Sequence, residues 1–184
     1  MKTIFYSNFL FLSLLIISCS IQINGLTNDY NKLNPEEKEL ISKLENFEEL
    51  ENGKIYQIHA EQLKNEIKTH PKALVYVFTN GCTTKLCLPM NVYINYAETN
   101  GYQLYLVMNG FSNLKETMNQ DADTPYFAID NEYYGVSFRT KYSNYFENEL
   151  MDLPKETRHK NYPGNLYFFE NGDFKNITLK LPKN

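Results

Sequence analysis

The sequence predicts an α/β fold in which helices flank a central mixed sheet, with an added helix at the N-terminal side of the domain. Short apolar runs, typical of buried strands, alternate along the chain with segments whose apolar residues recur at helical spacing. That alternation is typical of a largely parallel sheet. Near the C-terminus an Asn171-Gly172 pair separates two apolar runs. This pair predicts a tight hairpin, so the sheet is expected to end in antiparallel strands.

The first element of the domain is expected to be a helix that begins at Pro35. Asn34 provides the N-cap, and glutamates occupy the first turn. Apolar residues then continue on one helical face, at Leu40, Ile41, Leu44 and Phe47. The helix is therefore expected to run toward residue 47 as an addition packed on the domain.

The remaining elements follow in a regular order. Strands are predicted over residues 55–58, 73–78, 102–108 and 126–129, and helices over residues 60–69, 89–99, 114–118 and within 137–150. The hairpin strands are expected at 165–170 and 174–181. Strand, helix, strand, helix, strand is the order of a parallel α/β unit.

The N-terminus has the features of an export signal, since Lys2 is followed by an apolar stretch from residue 9 to 17 that is too short to span a bilayer. Its end, Ile16-Ile17-Ser18-Cys19, resembles the lipobox of bacterial lipoproteins. The resemblance implies a signal peptide over 1–18, a lipid anchor on Cys19, a polar membrane tether over 19–33 and one domain over 34–184. The alternative is an ordinary cleaved signal with a spare cysteine.

Composition and charge exclude several classes of function. The formal net charge is −4, and the chain has no basic cluster, which argues against nucleic acid as a partner. The histidines are scattered and have no metal-ligand spacing with the cysteines, so neither a metal nor another cofactor is expected. A membrane that holds the lipid anchor is the partner expected from the N-terminus.

Cys82 and Cys87 follow the apolar strand predicted at residues 73–78. A cysteine at the N-terminus of a helix has its pKa lowered from about 8.5, to as little as about 3.5, because the helix end favours the thiolate. Five residues of continuous helix separate two Cα atoms by about 7.5 Å, whereas a disulfide needs about 4.4 to 6.8 Å. Either the pair lies in a loop with the helix starting near Pro89, or the helix start unwinds on oxidation.

The order of elements resembles the thioredoxin fold over roughly residues 55–181. The cysteine-bearing loop follows a strand, and Tyr162-Pro163 precedes an apolar strand and the Asn171-Gly172 turn. In that family the matching proline is usually cis and faces the cysteines, so the resemblance assigns this place to Pro163. Residues 124–130 resemble an insert of envelope thiol-disulfide reductases and peroxiredoxin-type redoxins.

The spacing of the cysteines differs from the family's C-x-x-C motif, because four residues separate Cys82 from Cys87. This C-x4-C spacing resembles atypical two-cysteine peroxiredoxins, but these have a proline where this chain has Val75. The expected function is therefore membrane-anchored thiol-disulfide exchange, with envelope proteins that carry thiols or disulfides as partners. Cys82 is the expected nucleophile, Cys87 the resolving residue, and Pro163 is expected in the substrate groove. A non-catalytic binding or structural lipoprotein with a stable disulfide is the alternative, and a thiol peroxidase, with Arg139 or Arg158 as a candidate arginine, is the third.

Overall fold

The structure is a computed structural model of the chain, and it describes residues 23–82, 84, 87–120, 123–161 and 163–182. The predicted signal peptide and Cys19 lie outside these residues. Within them, none of the helices combines the length and the apolar character needed to cross a bilayer.

The described residues form five α-helices and seven strands. The helices are α1 (Pro35–Glu39), α2 (Ala60–Ile67), α3 (Met90–Asn100), α4 (Leu114–Met118) and α5 (Arg139–Leu150). The strands are β1 (Ile41–Lys43), β2 (Ile55–Ile58), β3 (Lys72–Phe78), β4 (Gln103–Met108), β5 (Tyr126–Ile129), β6 (Leu166–Glu170) and β7 (Asp173–Thr178). The predicted α/β class is confirmed.

All seven strands belong to one mixed sheet, in the order β1-β2-β5-β4-β3-β6-β7. The first five strands in this order run parallel, whereas β6 is antiparallel to β3 and β7 is antiparallel to β6. Asn171 and Gly172 join β6 to β7 with φ angles of 51° and 85°. Positive φ at both positions is what a type I′ turn requires, and the predicted hairpin is confirmed.

The long N-terminal helix predicted from residue 35 toward residue 47 is wrong, because α1 ends at Glu39. The chain then forms β1 and pairs with β2 at the edge of the sheet. Backbone hydrogen bonds extend this pairing at both ends, from Ile55 N to Leu40 O (2.9 Å) and from Leu44 N to Gln57 O (3.0 Å). Sheet pairing thus satisfies the backbone of residues whose side-chain spacing alone suits a helix.

The sheet has a buried apolar layer on each face. Alternate residues of β3 point to opposite faces, as the pleat requires. Those on the face covered by α2 and α5 are Ala73, Val75 and Val77. Those on the face covered by α3 and α4 are Leu74, Tyr76 and Phe78. An interior strand buried on both faces reads as a continuous apolar run, which is why β3 was predictable.

Part of the segment predicted as a membrane tether is packed against the domain. The amide of Phe111 donates to Asn28 O (2.7 Å), and the amide of Arg139 donates to Leu26 O (2.8 Å). These two bonds attach the segment to the loop after β4 and to the start of α5.

The same segment is also held by the buried carboxylate of Asp29, which is 3 % exposed. Asp29 Oδ2 accepts from the amide of Gly25 (2.6 Å) and from the hydroxyl of Ser112, and Lys32 forms an ion pair with Oδ1 (2.7 Å). Burial alone raises the pKa of Asp29, but the hydrogen bonds from Lys32, Ser112 and Gly25 hold it below its usual value. Residues 25–32 are therefore anchored by an ionised group.

Candidate functional site

The cysteine-bearing loop leaves the carboxyl end of β3 through a glycine that no larger residue can replace without movement. Gly81 has a φ of 66°, in the left-handed region. A Cβ atom there would lie 2.6 Å from Asn113 Nδ2 and 2.7 Å from a carboxylate oxygen of Glu116. The loop therefore passes directly against α4 and the turn that precedes it.

Asn80 fastens the start of this loop to the neighbouring strand connection. Its side chain is buried, and its amide nitrogen donates to Gly110 O (2.7 Å). The hydroxyl of Thr117 in turn donates to Asn80 Oδ1 (2.7 Å). Both the nitrogen and the oxygen of the Asn80 amide are therefore hydrogen-bonded. These bonds connect the end of β3 to the loop after β4 and to α4.

Replacing Asn80 with alanine is expected to lower the free energy of unfolding by about 2 kcal/mol, because Gly110 O and the Thr117 hydroxyl lose their buried partner. Urea denaturation monitored by circular dichroism measures the change. Thr79→Ala is the matched control, since Thr79 is exposed and bonds Asn109 at the surface. Equal losses in the two variants would contradict the anchoring role of Asn80.

Cys82 and Cys87 are joined by a disulfide, with their Cα atoms 5.9 Å apart. This separation lies in the usual range for disulfides. Cys82 is exposed and Cys87 is half-buried. The amide of Cys87 donates to Thr84 O (3.0 Å), which closes a turn inside the disulfide loop. The bond is therefore accessible to a reactant from solvent, mainly at Cys82.

The helix that follows the cysteines begins next to Pro89, close to its predicted start. Helix α3 begins at Met90, eight residues after Cys82, with Pro89 as its N-cap residue. Cys82 is therefore not a residue of the helix N-terminus, whereas its disulfide partner Cys87 lies three residues before Met90. Of the two arrangements open from the sequence, the structure has the one in which the pair occupies a loop before the helix.

A small cavity of about 20 Å³ lies beside the disulfide. Its lining includes Cys82, Cys87, Tyr76, Met90 and Gln120. A space of this size holds about one water molecule. A reactant must therefore meet the disulfide from the outer surface.

Pro163 lies at the same end of the sheet as the disulfide. β6 pairs with β3 up to Tyr76, and a further bond from Val77 N to Asn165 O (2.9 Å) continues the pairing toward the end of β3. The half-buried Pro163 comes two residues before Asn165. Its peptide bond with Tyr162, expected to be cis, lies outside the described residues.

The other candidate residues are distributed elsewhere. The Arg139 guanidinium packs against Gly25 of the N-terminal segment. The three histidines have different neighbours. His59 stacks on the ring of Tyr133, His70 contacts the carboxylate of Glu66, and His159 contacts the side-chain amide of Asn148. In the part of the chain that the structure describes, no group of three or more His, Cys, Asp or Glu side chains could hold a metal ion.

Two residues of the site were not identified from the sequence. Thr84 has its hydroxyl next to both sulfur atoms, and its place inside the cysteine motif was the available signal. Asn80 precedes a glycine, which indicates a turn but not the burial of the Asn80 amide.

The fold and the site together define an α/β protein with an exposed disulfide at the carboxyl end of an interior strand. Comparison with models of protein families, with curated proteins and with solved structures gives no match for this chain.

Proposed function

We propose that this protein is a membrane-anchored thiol-disulfide exchange protein of the cell envelope. The observation that carries the proposal is the Cys82–Cys87 disulfide, which is exposed at Cys82 and lies where an interior strand ends. Cys82 is the residue that attacks or is attacked, and Cys87 closes or releases the disulfide. Exchange proceeds through a mixed disulfide with a cysteine of the partner protein.

We propose further that the domain is thioredoxin-like. The support is the order in which the elements surround the cysteines: β3, the cysteine loop, α3 and the parallel strand β4, and later Pro163 followed by the β6–β7 hairpin. β6 lies beside β3, so Pro163 approaches the end of the strand that leads to Cys82. On this proposal Pro163 shapes the groove in which a partner's polypeptide lies.

The small size of the disulfide loop supports exchange, because the bond can open without loss of the fold. The two cysteines are only five residues apart. Closing so short a loop stabilises a protein by about 2 kcal/mol in the chain-entropy account, less than a long loop provides. The apolar layers on both faces of the sheet are formed without the cysteines.

A second candidate is a binding or structural lipoprotein in which the disulfide is permanent. The observation in its favour is the position of α3, because both cysteines lie in the loop before the helix and neither occupies a residue of its first turn. Permanent disulfides have reduction potentials below about −300 mV, whereas exchange proteins lie at about −270 to −120 mV. The two candidates therefore differ in a measurable quantity.

The test uses the full-length protein in detergent micelles, with glutathione redox buffers and an insulin reduction assay. We expect a reduction potential above about −300 mV and measurable insulin reduction. Cys82→Ser is expected to abolish turnover. Cys87→Ser is expected to retain the attacking cysteine and to accumulate a mixed disulfide with insulin. Full insulin reduction by Cys82→Ser, or a reduction potential of the wild type below about −300 mV, would rule out thiol-disulfide exchange as the function.

The membrane anchor is tested separately. Cys19→Ala is expected to move the protein from the membrane fraction to the soluble fraction, because Cys19 is the proposed site of lipid attachment. Insulin reduction is expected to stay unchanged, because Cys19 has no part in the exchange reaction. Membrane fractionation with labelled fatty acid measures the first effect. An unchanged membrane association of Cys19→Ala would contradict the lipoprotein proposal.

A further inference from the structure

The hydroxyl of Thr84 lies between the two sulfur atoms of the disulfide. Thr84 Oγ is 3.6 Å from Cys82 Sγ and 3.5 Å from Cys87 Sγ. The turn closed by the Cys87 amide on Thr84 O (3.0 Å) sets the position of Thr84 relative to Cys87. One hydroxyl thus contacts both atoms that change charge when the disulfide opens.

The hydrogen-bonding capacity of these sulfur atoms depends on their redox state. A disulfide sulfur is a weak acceptor, whereas a thiolate carries a full charge, and hydrogen bonds to charged groups are about twice as strong as neutral ones. A threonine hydroxyl has a single hydrogen, so it serves one sulfur at a time. Its contribution is therefore largest when one cysteine has become a thiolate.

We propose that Thr84 is a catalytic residue of the exchange reaction, in which its hydroxyl donates a hydrogen bond to whichever cysteine sulfur leaves as a thiolate. This inference rests on the proposed function. It extends that function by assigning a group that stabilises the leaving sulfur.

The reaction consists of two displacements. A cysteine thiolate of an envelope protein attacks the exposed Cys82 Sγ and forms a new S–S bond. The Cys82–Cys87 bond breaks, and its electron pair passes to Cys87 Sγ, which accepts the hydrogen bond from Thr84. A second thiolate of the partner then attacks the partner sulfur bonded to Cys82, and Cys82 Sγ leaves as a thiolate. The partner is oxidised to a disulfide, and the cysteine pair is reduced.

The nearly equal distances from Thr84 Oγ to the two sulfurs suit both displacements. Cys87 Sγ is the leaving atom in the first step and Cys82 Sγ in the second. Rotation about the C–O bond redirects the hydroxyl hydrogen from one sulfur to the other. In the opposite direction of exchange the same hydroxyl stabilises the attacking thiolate before the new bond forms.

The experiment compares Thr84→Val, which has nearly the same shape without the hydroxyl, with Thr84→Ser, which restores the hydroxyl. The equilibrium constant for reduction of the full-length protein by glutathione is measured below and above the ordinary cysteine pKa of about 8.5. Above this pH, Thr84→Val is expected to lower the constant by about threefold to tenfold. Well below this pKa, where both thiols are protonated, the difference between Thr84→Val and the wild type is expected to shrink. Thr84→Ser is expected to match the wild type.

Two outcomes would overturn the inference. One is an unchanged equilibrium constant in Thr84→Val at high pH. The other is the same change at both pH values, which a merely structural role of the side chain produces. Thr84 is exposed, and Thr84→Ala provides a second variant without the hydroxyl. Insulin reduction by the wild type is measured independently. If the wild type does not reduce insulin but Thr84→Val still changes the equilibrium constant in a pH-dependent way, the exchange function is rejected and the contact between Thr84 and a thiolate is retained.

Discussion

Replacing Glu147 with glutamine is expected to abolish a pH-dependent fall of roughly 3 kcal/mol in the free energy of unfolding. Glu147 is 8 % exposed, on the face of α5 that packs against the sheet. Burial raises its pKa from 4.5 to about 7, and a hydrogen bond with Tyr167 only partly opposes the rise. The protonated carboxyl is therefore favoured in the folded protein.

The direction of the effect follows from the order of the two pKa values. The folded state binds the Glu147 proton more tightly than the unfolded state does, because its pKa of about 7 exceeds 4.5. Stability from this group is therefore fully present below pH 4.5 and is lost as the pH rises to about 7. Glutamine does not titrate in this range. We therefore expect Glu147→Gln to be more stable than the wild type above pH 7.

The measurement is urea unfolding of the wild type and Glu147→Gln at about pH 5 and about pH 8. The difference between the proteins at each pH isolates this group from others that titrate over the same interval. Glu98→Gln is the matched control, because Glu98 is an exposed helical glutamate on α3. A difference that stays constant with pH would show that Glu147 does not titrate in this interval.

Replacing Asp29 with alanine is expected to lower the free energy of unfolding by about 3 kcal/mol and to release the N-terminal segment. The substitution removes the acceptor for the Gly25 amide and the Ser112 hydroxyl, and leaves Lys32 without its ion pair. These donors lose a charged partner in a buried place, which costs more than the loss of a surface ion pair. The bond from Phe111 N to Asn28 O is expected to open with the segment.

Asp29 also predicts an acid limit of stability. Its folded-state pKa is held below the usual 3.8, so its contribution is present above that pH and is lost as the pH falls through the lowered value. Hydrogen exchange of the Phe111 amide reports release of the segment, and urea unfolding reports total stability. In Asp29→Ala, hydrogen exchange of the Phe111 amide is expected to be fast already at neutral pH.

Asp152→Ala is the matched control for Asp29→Ala. Both aspartates have a φ of 59°, so both substitutions place alanine in the left-handed region, which costs roughly 1 kcal/mol. Asp152 is exposed and pairs with Lys64 at the surface. Equal losses in the two variants would mean that backbone conformation, not the buried carboxylate, accounts for the Asp29 result.

The regular part of the fold could be predicted from the sequence because local signals and tertiary packing agree there. β2, β5 and α4 have the predicted bounds, and the Asn171-Gly172 turn has the expected backbone conformation. The helix at Pro35 is different. Its start is defined by a local capping box between Asn34 and Glu37, but its end is decided by pairing with β2, which lies farther along the chain.

The site could be predicted only in part, for a similar reason. The placement of Cys82 and Cys87 after β3 follows from the apolar run, and the disulfide follows from their proximity. The start of α3 also agrees with the sequence, because the helix predicted from residue 89 begins at Met90. Burial of the Asp29 and Glu147 carboxylates depends on what packs around them. A single sequence contains no signal that predicts this packing.

The separation of the cysteine loop from the apolar layers has an evolutionary consequence. Among the described residues between Phe78 and Met90, Asn80 alone is buried. Apart from Gly81, which packs directly against α4, substitutions in the rest of this loop can alter the chemistry of the sulfurs while the sheet and its two helical layers keep their packing. A lineage that carries this scaffold can therefore change the reactivity of the disulfide by changes confined to one short stretch of its gene.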